Sequence, residues 1–217
     1  VDGPHGLMAF YADFEEPVVE DFRRWHNCEH MAERVAIPGF QRGRRYRGLD
    51  NPETFLMTYE TDDAAVLGSK PYHAALNAPT PWTKTALTWF KNPARAIYTK
   101  TMEMGRVDWW PAPFLLALRF NAPDAAPVRP LLESAARDAI RMRFFEVDEE
   151  ISGIMTAERK IYSGGPGNQQ FLAFIERMEP FETATALPDE AALSSAGATD
   201  IYVDRFTIDF ALEAADD

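Results

Sequence analysis

Apolar residues occupy both alternating faces of the segment Gly6 to Phe14 (GLMAFYADF), the pattern of a strand buried on two sides. Past Pro17 the period changes. Val18, Phe22, Trp25, Ala32 and Ala36 recur at helical spacing, which predicts an amphipathic helix that Pro38 and Gly39 terminate. Two strands follow, Phe40 to Arg47 and Thr54 to Thr61, joined by the turn-rich GLDNPE. A helical region from Asp62 to Phe90, interrupted near Pro81, and a fourth strand around Ala94 to Met102 complete the order β-α-β-β-α-β.

The order recurs more faintly. PFLLALRFN reads as a strand, Val128 to Met142 as a helix, and Ile151 to Tyr162, Gln170 to Met178 and Ile201 to Phe210 as strands, with a short helix after Pro188. Tyr46, Gly48, Phe55, Leu56 and Glu60 match Tyr162, Gly164, Phe171, Leu172 and Glu176 at a constant offset of 116, which predicts a duplication. In it Tyr46 superposes on Tyr162 and Phe55 on Phe171, and the glycine-rich SGGPGN, Ser163 to Asn168, is a hairpin loop and not a phosphate cradle. GRVDWWPAP separates the halves, with Trp109 and Trp110 expected to pin the linker. The boundary is placed near residue 111, giving a first half at 1–110 that carries the site and a degenerate, structural second half at 111–217.

The predicted fold class is therefore α+β: two tandem ferredoxin-like β-α-β-β-α-β halves, each a four-stranded sheet with both helices on one face, closing sheet against sheet as an α+β barrel. The space between helices and sheet is the natural pocket of each half.

Composition narrows the function without specifying it. The 217 residues can bury a sizeable core, and 46% apolar with 26% charged residues is ordinary for a globular protein. A formal charge of −12 disfavours nucleic acid and anionic membranes as partners, with Arg42 to Arg47 the one basic cluster. Cys28 is the single cysteine, so no intrachain disulfide forms, and the composition suits a cytoplasmic location. No GxGxxG, GxxxxGK[ST] or GxSxG motif is present, and no cofactor is expected.

All four histidines, His5, His26, His30 and His73, lie in the first third of the chain, which directs acid–base chemistry to the first half. On a helix Glu29 falls in the middle of the apolar face beside Phe22, Val18 and Trp25, with His26 and His30 along its edge. A carboxylate there is either a tuned acid or base or one member of a structural ion pair with Arg34 or a strand arginine. HNCEH also fits the HxxEH zinc pattern, but a third ligand and the long helix of such peptidases are missing, so no metal is expected. His73, in KPYHAALN, is a further candidate from the second helix, and Phe10, Trp25, Tyr46, Tyr72 and Trp82 are candidate aromatic lining, each equally readable as core.

The stretch RRWHNCEHMAERVAIPGFQRGRRYR, Arg23 to Arg47, resembles the dimeric α+β barrel superfamily, in particular its EthD-like and muconolactone-isomerase-like members; LNAPTPWTK, Leu76 to Lys84, is similar to their second-helix region. The resemblance implies that the helix-one histidine, His30 here, faces a pocket between helices and sheet. His26 stands where an aromatic residue is more usual, and the second half has no counterpart of His30, implying one working pocket per chain. With the chemistry above it implies a cofactor-independent isomerase, cyclase or lyase that moves a proton on a small apolar or aromatic carbonyl or hydroxy compound, His30 being the base and His26, Glu29 and His73 assisting. Two alternatives stand beside it, a cofactor-free oxygenase or haem-binding barrel and a non-catalytic small-molecule binder. A homodimer and a monomer are both compatible with the resemblance.

Overall fold

The structure, a computed structural model, describes residues 3–106, 112–181 and 188–215. The expected linker tryptophans and the boundary at residue 111 lie outside the described residues. Eight strands close into one antiparallel barrel: β1 (Gly6–Asp13), β2 (Phe40–Gly48), β3 (Thr54–Thr61), β4 (Lys91–Gly105), β5 (Phe114–Asn121), β6 (Arg141–Val147), β7 (Phe171–Arg177) and β8 (Thr199–Glu213). Around the barrel they run β1-β3-β2-β8-β5-β7-β6-β4. Each half thus has the ferredoxin-like order 4-1-3-2, and the halves are sewn together along two seams, β2 with β8 and β4 with β6. Closure removes every unpaired strand edge.

The two-faced apolar pattern of β1 follows from this architecture. Met8, Phe10 and Ala12 enter the layer between sheet and helices, while Leu7, Ala9 and Tyr11 enter the barrel. The outer layer of the first half is built by α1 (Val19–Trp25), a single π-helical turn (His26–His30), α2 (Met31–Val35), α3 (Lys70–Asn77) and α4 (Pro81–Ala86). The helix packs closely on β2 because Gly43 has no side chain: a Cβ there would stand 2.7 Å from Met31 Cγ and 3.0 Å from the Tyr59 ring. Among the described residues, no helix is long and apolar enough to cross a membrane.

In the second half the sequence reading needs correction. The expected helix over Val128 to Met142 is only α5 (Arg129–Ala135), and β6 already begins at Arg141. The expected strand Ile151 to Tyr162 is instead two short helices, α6 (Glu149–Gly153) and α7 (Ala157–Tyr162), started by the side chains of Asp148 and Thr156, which accept from the Ile151 and Arg159 N–H groups. The β6–β7 connection is therefore a helical excursion, and Ser163 to Asn168 follows a helix instead of closing a hairpin. A short α8 (Glu190–Ser195) completes the outer layer.

The constant offset holds only in part. Phe55 and Phe171 do stand on equivalent strands, since Phe55 pairs with Ala12 of β1 and Phe171 with Phe120 of β5. Tyr162 lies on α7, whereas the counterpart of Tyr46 is Phe145, which faces Leu172 as Tyr46 faces Leu56.

At one end of the barrel interior the same pseudo-symmetry buries charges. Arg44 and Glu60 of the first half meet Arg143 and Glu176 of the second: Arg143 Nη1 donates to Glu60 Oε1 at 2.8 Å, Arg44 Nη1 to the same oxygen at 3.1 Å, and Arg141 grips Glu176 with two bonds of 2.6 and 2.9 Å. Burial alone would raise both carboxyls, but the surrounding guanidiniums, Arg143 foremost, hold both below the ordinary carboxylate range. Removing one carboxylate leaves arginines buried without a counter-charge. Glu60→Gln and Glu176→Gln should each cost about 3–5 kcal/mol in urea unfolding, more than replacing an exposed acid such as Glu16. Losses within a few tenths of a kcal/mol of the surface control would show the cluster to be dispensable.

Candidate functional site

A cavity opens between the outer face of the first sheet and its helices. Its walls include Phe10, Trp25, Met57, Tyr59, Tyr72 and Phe90, and its polar groups are His26, His30, Arg34, Arg95, Thr156 and Glu158. The space is tight, about 20 Å³ for the centre of a water-sized sphere, so a ring-sized ligand enters only as the lining side chains move apart. Part of the wall comes from the other half, because α7 brings Glu158 and Tyr162 across the seam. Tyr162 packs 5.0 Å from Phe10, Glu158 pairs with Arg34, and the Ala157 N–H donates to Asn77 Oδ1 at 2.9 Å. In the second half the equivalent layer is an apolar cluster of residues such as Phe120, Leu132, Phe144 and Leu193.

The π turn brings both histidines to the cavity. Its bond, from the Met31 N–H to the His26 carbonyl, spans five residues instead of four and slightly unwinds the helix. His30 stacks on Trp25 with ring centroids 4.4 Å apart and lies 5.7 Å from His26. Cys28, on the opposite side, is exposed.

His26 is fixed by its neighbours. Arg45 Nη1 stands 3.2 Å from its Nδ1 and can only donate, so Nδ1 accepts and the ring proton sits on Nε2, 3.3 Å from the Tyr59 hydroxyl. Tyr59 thereby accepts from His26 and keeps its own proton free to donate. Arg45 is oriented in turn by Asn27 Oδ1 at 2.8 Å and by Asp209 of β8 at 2.6 Å. Burial would raise the Asp209 carboxyl, but hydrogen bonds and charge from Arg23 and Arg45 hold it low. A chain Asp209–Arg45–His26–Tyr59 thus runs from the second half to the cavity.

His30 differs from His26 in having an unspent nitrogen. Its Nδ1 is buried with no hydrogen-bond partner among the described residues. Burial first, then the charges of Arg34 and of His26, push its pKa well below 6.5; burial, Arg45 and Arg34 do the same to His26. Both rings are neutral at physiological pH.

Of the residues singled out from sequence, Phe10, Trp25, His26, His30 and Tyr72 converge on the cavity. Glu29 does not line it. Its Oε1 accepts from the Thr80 and Thr83 hydroxyls at 2.6 and 3.0 Å, and Thr83 Oγ1 accepts from the Trp25 indole, so Glu29 ties the π turn to α4. The predicted partners, Arg34 and a strand arginine, are engaged elsewhere. Tyr46 points into the barrel, while His73 and Trp82 lie on the outer helices away from the cavity, Trp82 being 36% exposed. Sequence reading missed Tyr59, Arg34, Arg45 and Arg95 as site residues. Strand alternation could have found Tyr59 and Arg45, since each shares its parity with residues facing the helices.

No family model and no curated protein sequence matches the chain. Its structure does match solved ones along almost all of its length. An anthrone oxidase-like protein superposes with a TM-score of 0.64 at 8% identity, covering 99% of this chain and 95% of that one. This chain has the dimeric α+β barrel fold. A putative monooxygenase from Fusobacterium nucleatum subsp. nucleatum gives 0.60 at 5% identity over 98% and 96% of the two chains, and one from Lactobacillus acidophilus NCFM gives 0.55 at 9% over 98% and 97%. In the present chain both repeats of that barrel are covalently joined.

These matches overturn the expectation of an isomerase, cyclase or lyase, because these three structures, which share the architecture end to end, carry oxidase-like and monooxygenase names. Both nitrogens of His26 are committed, so of the two cavity histidines only His30 keeps one for a further partner. Among the described residues, no group of three or more His, Cys, Asp or Glu converges as a metal site.

The depressed imidazoles have a consequence for stability. A histidine whose pKa falls on folding binds fewer protons in the native than in the unfolded state, so its contribution is complete above the unfolded value of 6.5 and shrinks as pH falls below it. Stability should therefore decline from about pH 7 to about pH 5, and His26→Gln, which can still accept from Arg45 and donate to Tyr59, should flatten that decline. Parallel profiles for variant and parent, by urea denaturation, would contradict the assignment.

Proposed function

We propose that the protein is a cofactor-independent oxygenase acting on an electron-rich polycyclic phenol or its keto tautomer, a compound of the anthrone type. The observation that carries this reading is the convergence of a neutral, unpartnered His30 nitrogen and a free Tyr59 proton in a cavity lined on several sides by aromatic rings. The names of the structural neighbours support it at the level of reaction class. The Trp25, Glu29–His30 and Pro38–Gly39–Phe40 run supports a kinship with the EthD-like branch in helix one.

His30 takes the acidic proton of the bound substrate, and Arg34, close enough to depress His30, stabilises the resulting anion. The anion is rich enough in electrons to reduce dioxygen directly. One electron passes to O2, the two radicals combine in a C–O bond, and the peroxide loses water to leave a carbonyl. The balance is CH2 + O2 → C=O + H2O; the carbon supplies all four electrons and no external reductant enters. Tyr59 donates to the substrate oxygen on which charge develops, held in place by His26, Arg45 and Asp209. Tight aromatic walls exclude water from the radical pair.

Oxygen uptake with anthrone should proceed in chelator-treated buffer without flavin or reduced nicotinamide, consuming one O2 per quinone formed. His30→Ala should lower turnover by about two to four orders of magnitude, the usual loss for a general base. Tyr59→Phe should lower it less. Full activity in His30→Ala, or uptake that requires an added reductant, would refute the mechanism.

A further inference from the structure

The cavity contains three charged side chains, and they do not cancel. Arg34 is paired with Glu158, both buried. Among the described residues Arg95 has no carboxylate within ion-pair distance; one N–H of its half-buried guanidinium donates to Tyr72 Oη at 3.2 Å. His26 and His30 add no charge, since both are neutral. Burial pushes the Glu158 carboxyl up while Arg34 opposes the rise. Whether Glu158 is ionised or has taken up a proton, surplus positive charge remains. An uncompensated cation in an aromatic cavity is costly unless an anion joins it.

Arg95 stands on β4 opposite Phe10 of β1 and reaches the Tyr72 hydroxyl, whereas His30 is flanked by the rings of Trp25 and His26.

From this arrangement we infer that the substrate is an aromatic acid: a carboxylate bound by Arg95 and the Tyr72 hydroxyl at one end, with the oxidisable ring at His30 and Tyr59. A planar carboxylate matches the fork of a guanidinium and, unlike phosphate, brings a single charge to the single unpaired cation. Arg95 is a substrate-binding residue in this view, and the inference rests on the oxygenase reading only for what becomes of the ligand afterwards.

Binding can be measured apart from turnover by anaerobic calorimetry, with a hydroxynaphthoate carrying hydroxyl and carboxylate on opposite rings, and with its methyl ester. The protein should prefer the acid by about 10- to 100-fold, the range for a hydrogen bond to a charged group. Arg95→Gln should abolish the preference by weakening the acid far more than the ester, and the ester binding that remains reports that the cavity is intact. Arg95→Lys should retain part of it. Equal affinity for acid and ester, no binding of either, or a preference that survives Arg95→Gln would overturn the inference. If the acid binds through Arg95 but consumes no oxygen, the oxygenase reading fails and the anion site stands. Oxidation without any Arg95-dependent preference gives the converse.

Discussion

Two carboxylates hold the barrel's buried arginines in place. Arg44, Arg141 and Arg143 are all inside and could not remain there without Glu60 and Glu176, and each carboxylate is contacted by a guanidinium from the opposite half. Arg44 and Glu60 pair within the first half, but the second half sets Arg141 and Arg143 against Glu176, and Arg143 also leans on Glu60 across the barrel. Apolar burial drives closure, and this cluster ties the two halves together across the interior.

The cavity inherits this dependence. Its floor is the first sheet, yet Glu158 and Tyr162 come from the second half, and Asp209, which orients Arg45 and through it His26, comes from β8. Rigid strands carry the anchors, while the π turn supplies the local departure from regular geometry that brings both imidazoles to one space. The helix holding them is fastened on its other side by Glu29 and the two threonines.

Much of this was legible in the sequence. Two-sided burial of β1, the helix from Val18 and its Pro-Gly stop are local patterns, and local patterns dominated in those segments. The α+β barrel followed from element order. What stayed hidden depends on the other half: Ile151 to Tyr162 alternates well enough for a strand, but Asp148 and Thr156 cap helices there and tertiary contacts with Asn77 and Arg34 settle the matter. Glu29 was expected in the middle of the apolar face with His26 at its edge, but through the π turn it is His26 that is buried, while Glu29 is half-buried against α4. Tyr59 and Arg45 sit in strands rich in tyrosine and arginine, where parity alone separates barrel from cavity.

The connections between the second and third strands of the two halves are unequal. The β2–β3 link is a tight turn, Leu49 to Glu53, while its counterpart between β6 and β7 is a pair of helices laid over the neighbouring half. In a barrel made from two separate identical chains, every elaboration appears twice, so a wall that one subunit lends its partner must also be accommodated on itself. Fusion into one polypeptide lifts that obligation. One repeat is then free to become architecture for the other, and a symmetric shell can evolve a single, asymmetric interior.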